Sequence, residues 1–228
     1  MTSPTYEATA RPGTAVSAAL LSYSFLWMFA GLLLTAGVAF VVQSDDGLLG
    51  FTAGAILPLF FGQLGLVAVI SWGIRRISAT VALLLFFVYA ASLGLTIGLI
   101  VTLYTGESVV TAFLSAAAMF GAAGLYGFTT KRSLAGLGGT LTMGLVGLIV
   151  ASIVNVFLGS SPLGWIISLG GVGLFTVLTA YDVQRISSGA LILPAGSVEK
   201  AAVYGALALY LDFINLFLFL LRLLGGRR

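Results

Sequence analysis

The chain has 228 residues, 60% of them hydrophobic and 7% charged, with a formal net charge of +3. That charge content, against about 25% in a soluble domain, and a mean hydropathy of +1.15 leave lipid as the solvent for most of the chain. The few cations stand at segment ends, which excludes a nucleic-acid-binding patch. With no cysteine and no histidine, disulfides and histidine-based hydrolysis are excluded as well.

Residues 1–17 form a polar N-terminal tail without the charged start or cleavage site of a secretory signal, so the first helix is expected to stay in the mature protein. Seven apolar runs follow, Ala18–Val42, Leu48–Ser71, Ala79–Tyr104, Ser108–Phe128, Leu134–Leu158, Leu163–Ile186 and Ala201–Leu224. Each is close to or above the ~20 residues that span hydrocarbon as a helix. None alternates apolar and polar residues, as strands of a membrane barrel would. The expectation is an all-α membrane protein, one seven-helix domain over residues 18–228. Pro58 lies inside the second run and is expected to kink it.

The breaks carry the charge. Asp45 and Asp46 follow the first run, Arg75 and Arg76 the second, Glu107 the third, and Lys131 and Arg132 the fourth. The fifth break is neutral, and Arg185 and Lys200 flank the sixth. Basic residues thus fall on every second break, which places those breaks and the N-terminus in the cytoplasm. Arg222, Arg227 and Arg228 then end on the outer side; a last segment that re-enters and returns is the alternative to seven full crossings. The link between the last two runs holds Gly189, Pro194 and Gly196 and reads as a loop with a short interfacial piece at Ala190–Leu193. Small-residue stripes (Gly50/Gly54, Gly94/Gly98, Gly121/Gly124/Gly127 and Gly136/Thr140/Gly144) read as close helix packing, with a dimer face as the alternative.

Two residues do not fit plain membrane helices. Asp212 sits near the middle of the last run, and Asp182 near the end of the run before it; the chain has only four aspartates. A carboxylate at the bilayer centre costs ~2.5–3.5 kcal/mol on insertion scales, so it is expected to face the interior with a partner. If the two meet, they share a proton and titrate as a pair. Arg75 and Arg76 are on the right side to oppose that as counter-charges, although topology anchoring explains both equally well. Other chemistry fits poorly. Asp45-Asp46-Gly47 is a fragment of a calcium loop without the remaining ligands. An intramembrane aspartyl protease of the presenilin type needs Gly-x-Gly-Asp where this chain has Leu209-Tyr210-Leu211-Asp212. No enzyme activity and no cofactor are expected.

The stretch from Leu209 to Phe217, followed by Leu220-Leu221-Arg222, resembles the terminal-helix signature of the Bax inhibitor-1 family, in its bacterial YetJ/YccA-like branch. Tyr181-Asp182 with Gln184 and Ile186 is similar to the end of that family's sixth helix. The resemblance implies a seven-helix bundle with the C-terminal helix at its centre, and a pH-sensitive calcium leak gated by a diaspartyl pair. Asp182 and Asp212 fall on that pair and would meet calcium transiently, while the family's latch arginine falls on Arg76 or Arg75, with Arg76 preferred. Arg222 matches an arginine that faces a glutamate of the second helix in some members; that position here is Gln63, so a hydrogen bond is expected in place of an ion pair. The resemblance further implies a monomer in a bacterial inner membrane, with lipid and calcium as partners. The alternative it allows is a non-conducting regulator of a membrane protease or of stress-response machinery.

Overall fold

The computed structural model describes residues 14–226; most of the N-terminal tail and the pair Arg227 and Arg228 lie outside the described residues. Among the described residues there is no strand. The helices are α1 (Thr14–Ser44), α2 (Asp46–Gly54), α3 (Ile56–Gly73), α4 (Ala79–Val101), α5 (Gly106–Thr129), α6 (Gly138–Leu158, after a 3-10 turn at Ala135–Leu137), α7 (Ser161–Ser187), α8 (Ile192–Ala195) and α9 (Val198–Leu224). Seven of them, all but α2 and α8, are long and apolar enough to cross a membrane.

The second apolar run breaks where a kink was expected. Pro58 has no N–H to donate and its ring crowds the carbonyl four residues back, that of Gly54. α2 ends at that residue, and α3 starts after Ala55 at φ −96°. Asp45 caps α2, its Oδ1 accepting the Leu48 N–H at 2.9 Å. The sixth link holds the short α8, two residues beyond the expected start of the interfacial piece, between Gly189 and Gly196, both at positive φ.

α9 is the centre of the bundle. It packs against α1, α4, α5 and α7, whereas α3 rests chiefly on α4 and α6 on α7. The sequence accounts for this arrangement. α9 buries Tyr210, Phe213 and Phe217 among rings and small residues of its neighbours. α6 turns Val156 and Phe157 outward, 80% and 85% exposed, which only a lipid surround tolerates. α9 also runs the full length of the bundle. Its end is tied to the α4–α5 turn, where Thr105 N–H donates to Gly226 O (3.2 Å) and Gly226 N–H donates to Ser108 Oγ (2.9 Å). A returning last segment is therefore overturned.

Two of the small-residue stripes seat helices within the chain. A Cβ on Gly94 would lie 2.8 Å from Thr35 O, and one on Gly98 would lie 3.0 Å from Ala39 O, so α4 lies directly on α1. At the α5–α7 crossing, a Cβ on Gly127 would overlap the Ala180 carbonyl. Gly50, Gly54 and Gly121 meet nothing within 4 Å.

Several polar groups inside the bundle are paired across helices. Thr35 Oγ1 donates to Ala90 O (2.8 Å), and the Tyr210 hydroxyl donates in turn to Thr35 Oγ1 (2.5 Å), tying α9 to α1 and α4. Ser24 Oγ reaches Ala202 O (3.2 Å) from α1. Interhelical hydrogen bonds in membranes are individually modest. Tyr210→Phe should therefore lower unfolding stability by about 0.6–1 kcal/mol, read as a small drop in thermal midpoint in detergent, without altering the fold.

Candidate functional site: a buried carboxylate on the central helix

The register of α7 against α9 sets the heights of the two aspartates. Ile186 packs on Gly205 near one end, and Phe219 covers Gly171 near the other. For antiparallel helices this puts Asp212 level with residues 178–179, one turn of α7 from Asp182 and thus about 5 Å away along the axis. Among the described residues no hydrogen bond joins the two carboxyls.

Their surroundings differ. Asp212 is 4% exposed, and its Oδ2 has no hydrogen-bond partner. Around it α9 offers Leu209, Phe213 and Leu216, all buried, and the nearby Thr179 hydroxyl is spent on Phe175 O (2.8 Å). A lone anion in such a place costs several kcal/mol, so the group requires a proton, a cation or a moving partner. Asp182, by contrast, is paired. Arg185 Nη1 donates to its Oδ1 at 3.3 Å, with Asp182 nearly buried and Arg185 a third exposed. The pair is spaced i, i+3, so one face of α7 carries both charges. The Arg185 guanidinium also lies over the Tyr181 ring at 5.3 Å, which fixes its direction.

The expected latch arginines are elsewhere. Arg75 donates from Nε to Pro194 O (2.8 Å) and from Nη2 to Leu193 O (3.1 Å), and its own carbonyl accepts from Lys200 Nζ (3.2 Å). The physical reason is α8, a single turn whose last carbonyls have no partner within the helix and attract a cation. Arg76 is exposed. Neither pairs with Asp182 or Asp212; among the described residues the ion pair is Arg185–Asp182. Sequence reasoning passed over Arg185, although its spacing from Asp182 was a usable signal.

The Gln63–Arg222 contact is also not made. Gln63 Nε2 donates to Ser92 O (3.0 Å) and Thr96 Oγ1 (2.9 Å), because α3 rests on α4 and that helix offers the nearest polar groups. Arg222 instead borders the opening at the far end of the bundle, near Asn155 and Ser160. No three acidic, histidine or cysteine side chains converge among the described residues, so a cation here would meet at most the two aspartates.

Gln184 is a second residue that the sequence did not single out as a structural clamp. Its side-chain amide grips the α5–α6 link twice, donating to Arg132 O (2.9 Å) and accepting from Leu134 N–H (2.7 Å). The turn after Asp182 is thereby fixed to the preceding loop.

The family model described as "Inhibitor of apoptosis-promoting Bax1" matches residues 18–228. The Inner membrane protein YbhL of Escherichia coli K12 is 45% identical over 208 residues, covering 89% of this chain and 89% of its own. A Deinococcus radiodurans protein is 45% identical over 208 residues, covering 91% and 90%. A Streptococcus pyogenes membrane protein is 40% identical over 153 residues, covering 67% of each chain. An unbroken match across all seven spans, together with the aspartate-bearing central helix, means that this chain belongs to the Bax inhibitor-1 family.

Proposed function

We propose that the protein is a passive, proton-sensitive cation leak that passes calcium, with Asp182 and Asp212 as the groups that exchange the proton and meet the cation. The observation that carries this reading is the unpartnered Asp212 carboxyl on the central helix, one turn from Asp182. Packing alone gives no reason to keep a carboxyl there, since leucine would fill the space without a charge to solvate. A proton on Asp212 leaves a single carboxylate there, that of Asp182 beside Arg185; its loss leaves two like charges in a low dielectric, which pushes α7 and α9 apart and attracts a cation. In this reading Arg185 is the counter-charge, because it already holds Asp182, and Arg75 and Arg76 anchor the end of α3.

The name of YbhL supports an inner membrane as the site of this leak, and the distribution of basic residues supports a cytoplasmic side at the Arg75, Lys131 and Arg185 end. The test is calcium entry into liposomes holding the purified protein, followed across pH. A leak above protein-free liposomes is expected, with a pH response that moves along the pH axis in Arg185→Gln. No flux above the protein-free control at any pH would remove the leak and leave the regulator reading, for which a stoichiometric co-purifying membrane partner is the corresponding sign.

A further inference from the structure

At the end of the bundle where α1 begins and α5 and α7 finish, a cavity of about 650 Å³ opens to the surface. Lys131, Arg132 and Arg185 line it, and among the described residues no acidic one does. Arg185 is compensated by Asp182 at 3.3 Å, but Lys131 and Arg132 face the same concavity, and like charges gathered there favour the open surface unless a further anion joins them. Topology signalling requires basic residues at this end, but it does not require them around a hollow. The hollow is also built. Gln184 holds the Lys131–Leu134 segment by both ends of its amide, and the α5–α7 crossing beneath it is closed at Gly127. Lys131 and Arg132 make no ion pair among the described residues.

The height and lining identify the ligand class. The cavity lies at the ends of membrane-spanning helices, where headgroups lie, and Phe128 on its lining is 58% exposed beside the cations. Charge above and an apolar ring below match a phosphate joined to acyl chains better than a free ion. We propose that this cavity binds the headgroup of an acidic phospholipid, and that the bound phosphate competes with Asp182 for Arg185. Binding itself does not depend on the leak; only the competition bears on it, because a lipid that draws Arg185 away strips Asp182 of its counter-charge.

The experiment measures affinity of the purified full chain for fluorescent phosphatidylglycerol in neutral detergent, with phosphatidylcholine as reference. A basic residue near an anionic surface contributes about a fivefold factor, so Lys131→Gln and Arg132→Gln should each weaken binding about fivefold. Arg76→Gln, an exposed cation at the same end, should change it by less than about twofold. Asp182→Asn should strengthen binding severalfold by releasing Arg185. Equal affinity for both lipids, or equal weakening by Arg76→Gln, would overturn the site. Displacement by millimolar inorganic phosphate as effective as by the lipid would overturn the lipid assignment, and unchanged or weaker binding in Asp182→Asn would overturn the competition. Because lipid affinity is read and no ion flux, the outcome is distinct from success or failure of the leak.

Discussion

Asp212→Asn should give a folded protein whose calcium leak no longer follows pH. The amide matches the carboxyl in volume, so the packing around Leu209, Phe213 and Leu216 is kept, and the thermal midpoint in detergent should move by only a few degrees. What the change removes is the ability to take up and release a proton in the dry centre of α9. A single exchanged proton gives at most about a tenfold response per pH unit; in the variant the response should fall below about twofold. Asp182 does not substitute for it, since Arg185 already compensates its charge at 3.3 Å. The measurement is dye-reported calcium entry into proteoliposomes over matched pH steps. Wild-type pH dependence in the variant would mean that the buried carboxyl is not the sensor.

Gly127→Val should be the most damaging small substitution on α5. A Cβ there would overlap the Ala180 carbonyl, which is backbone and cannot rotate away, so α5 and α7 must separate. Forced overpacking of that kind costs about 3 kcal/mol, or roughly a 6–12 °C drop in thermal midpoint for a chain of this length. Gly121→Val provides the control. It lies on the same small-residue stripe, but nothing stands within 4 Å of it, and it should cost little. The two measured side by side separate lost packing from any general intolerance of valine. Equal midpoints for both variants would refute the account of the α5–α7 crossing.

That pair also illustrates what could be read from the residues. Gly121 and Gly127 are indistinguishable as letters at helical spacing; only the crossing of α5 with α7 decides which is filled. The seven spans and the two odd aspartates were legible because an apolar run is long and a carboxylate within one is conspicuous. The break at Ala55 was half legible: Pro58 announced a disturbance, but its extent depends on the Gly54 carbonyl being released. The partners of the charged groups were not legible. Arg75 ends on α8 carbonyls because a four-residue helix finishes there, and Gln63 turns to Ser92 and Thr96 because α3 rests chiefly on α4. Such pairings arise from tertiary proximity, which neither hydropathy nor charge count encodes. Arg185 is the exception, since its spacing from Asp182 lay in plain view and was assigned to topology alone.

The tether of Gly226 to the α4–α5 turn has a practical corollary. Among the described residues, α1 begins and α9 finishes at opposite ends of the bundle. A label at the start of α1 and one at the end of α9 therefore report from opposite faces of the bundle. Machinery on the side where α1 begins must therefore grip the α3–α4, α5–α6 and α7–α9 links, because the end of α9 is out of its reach.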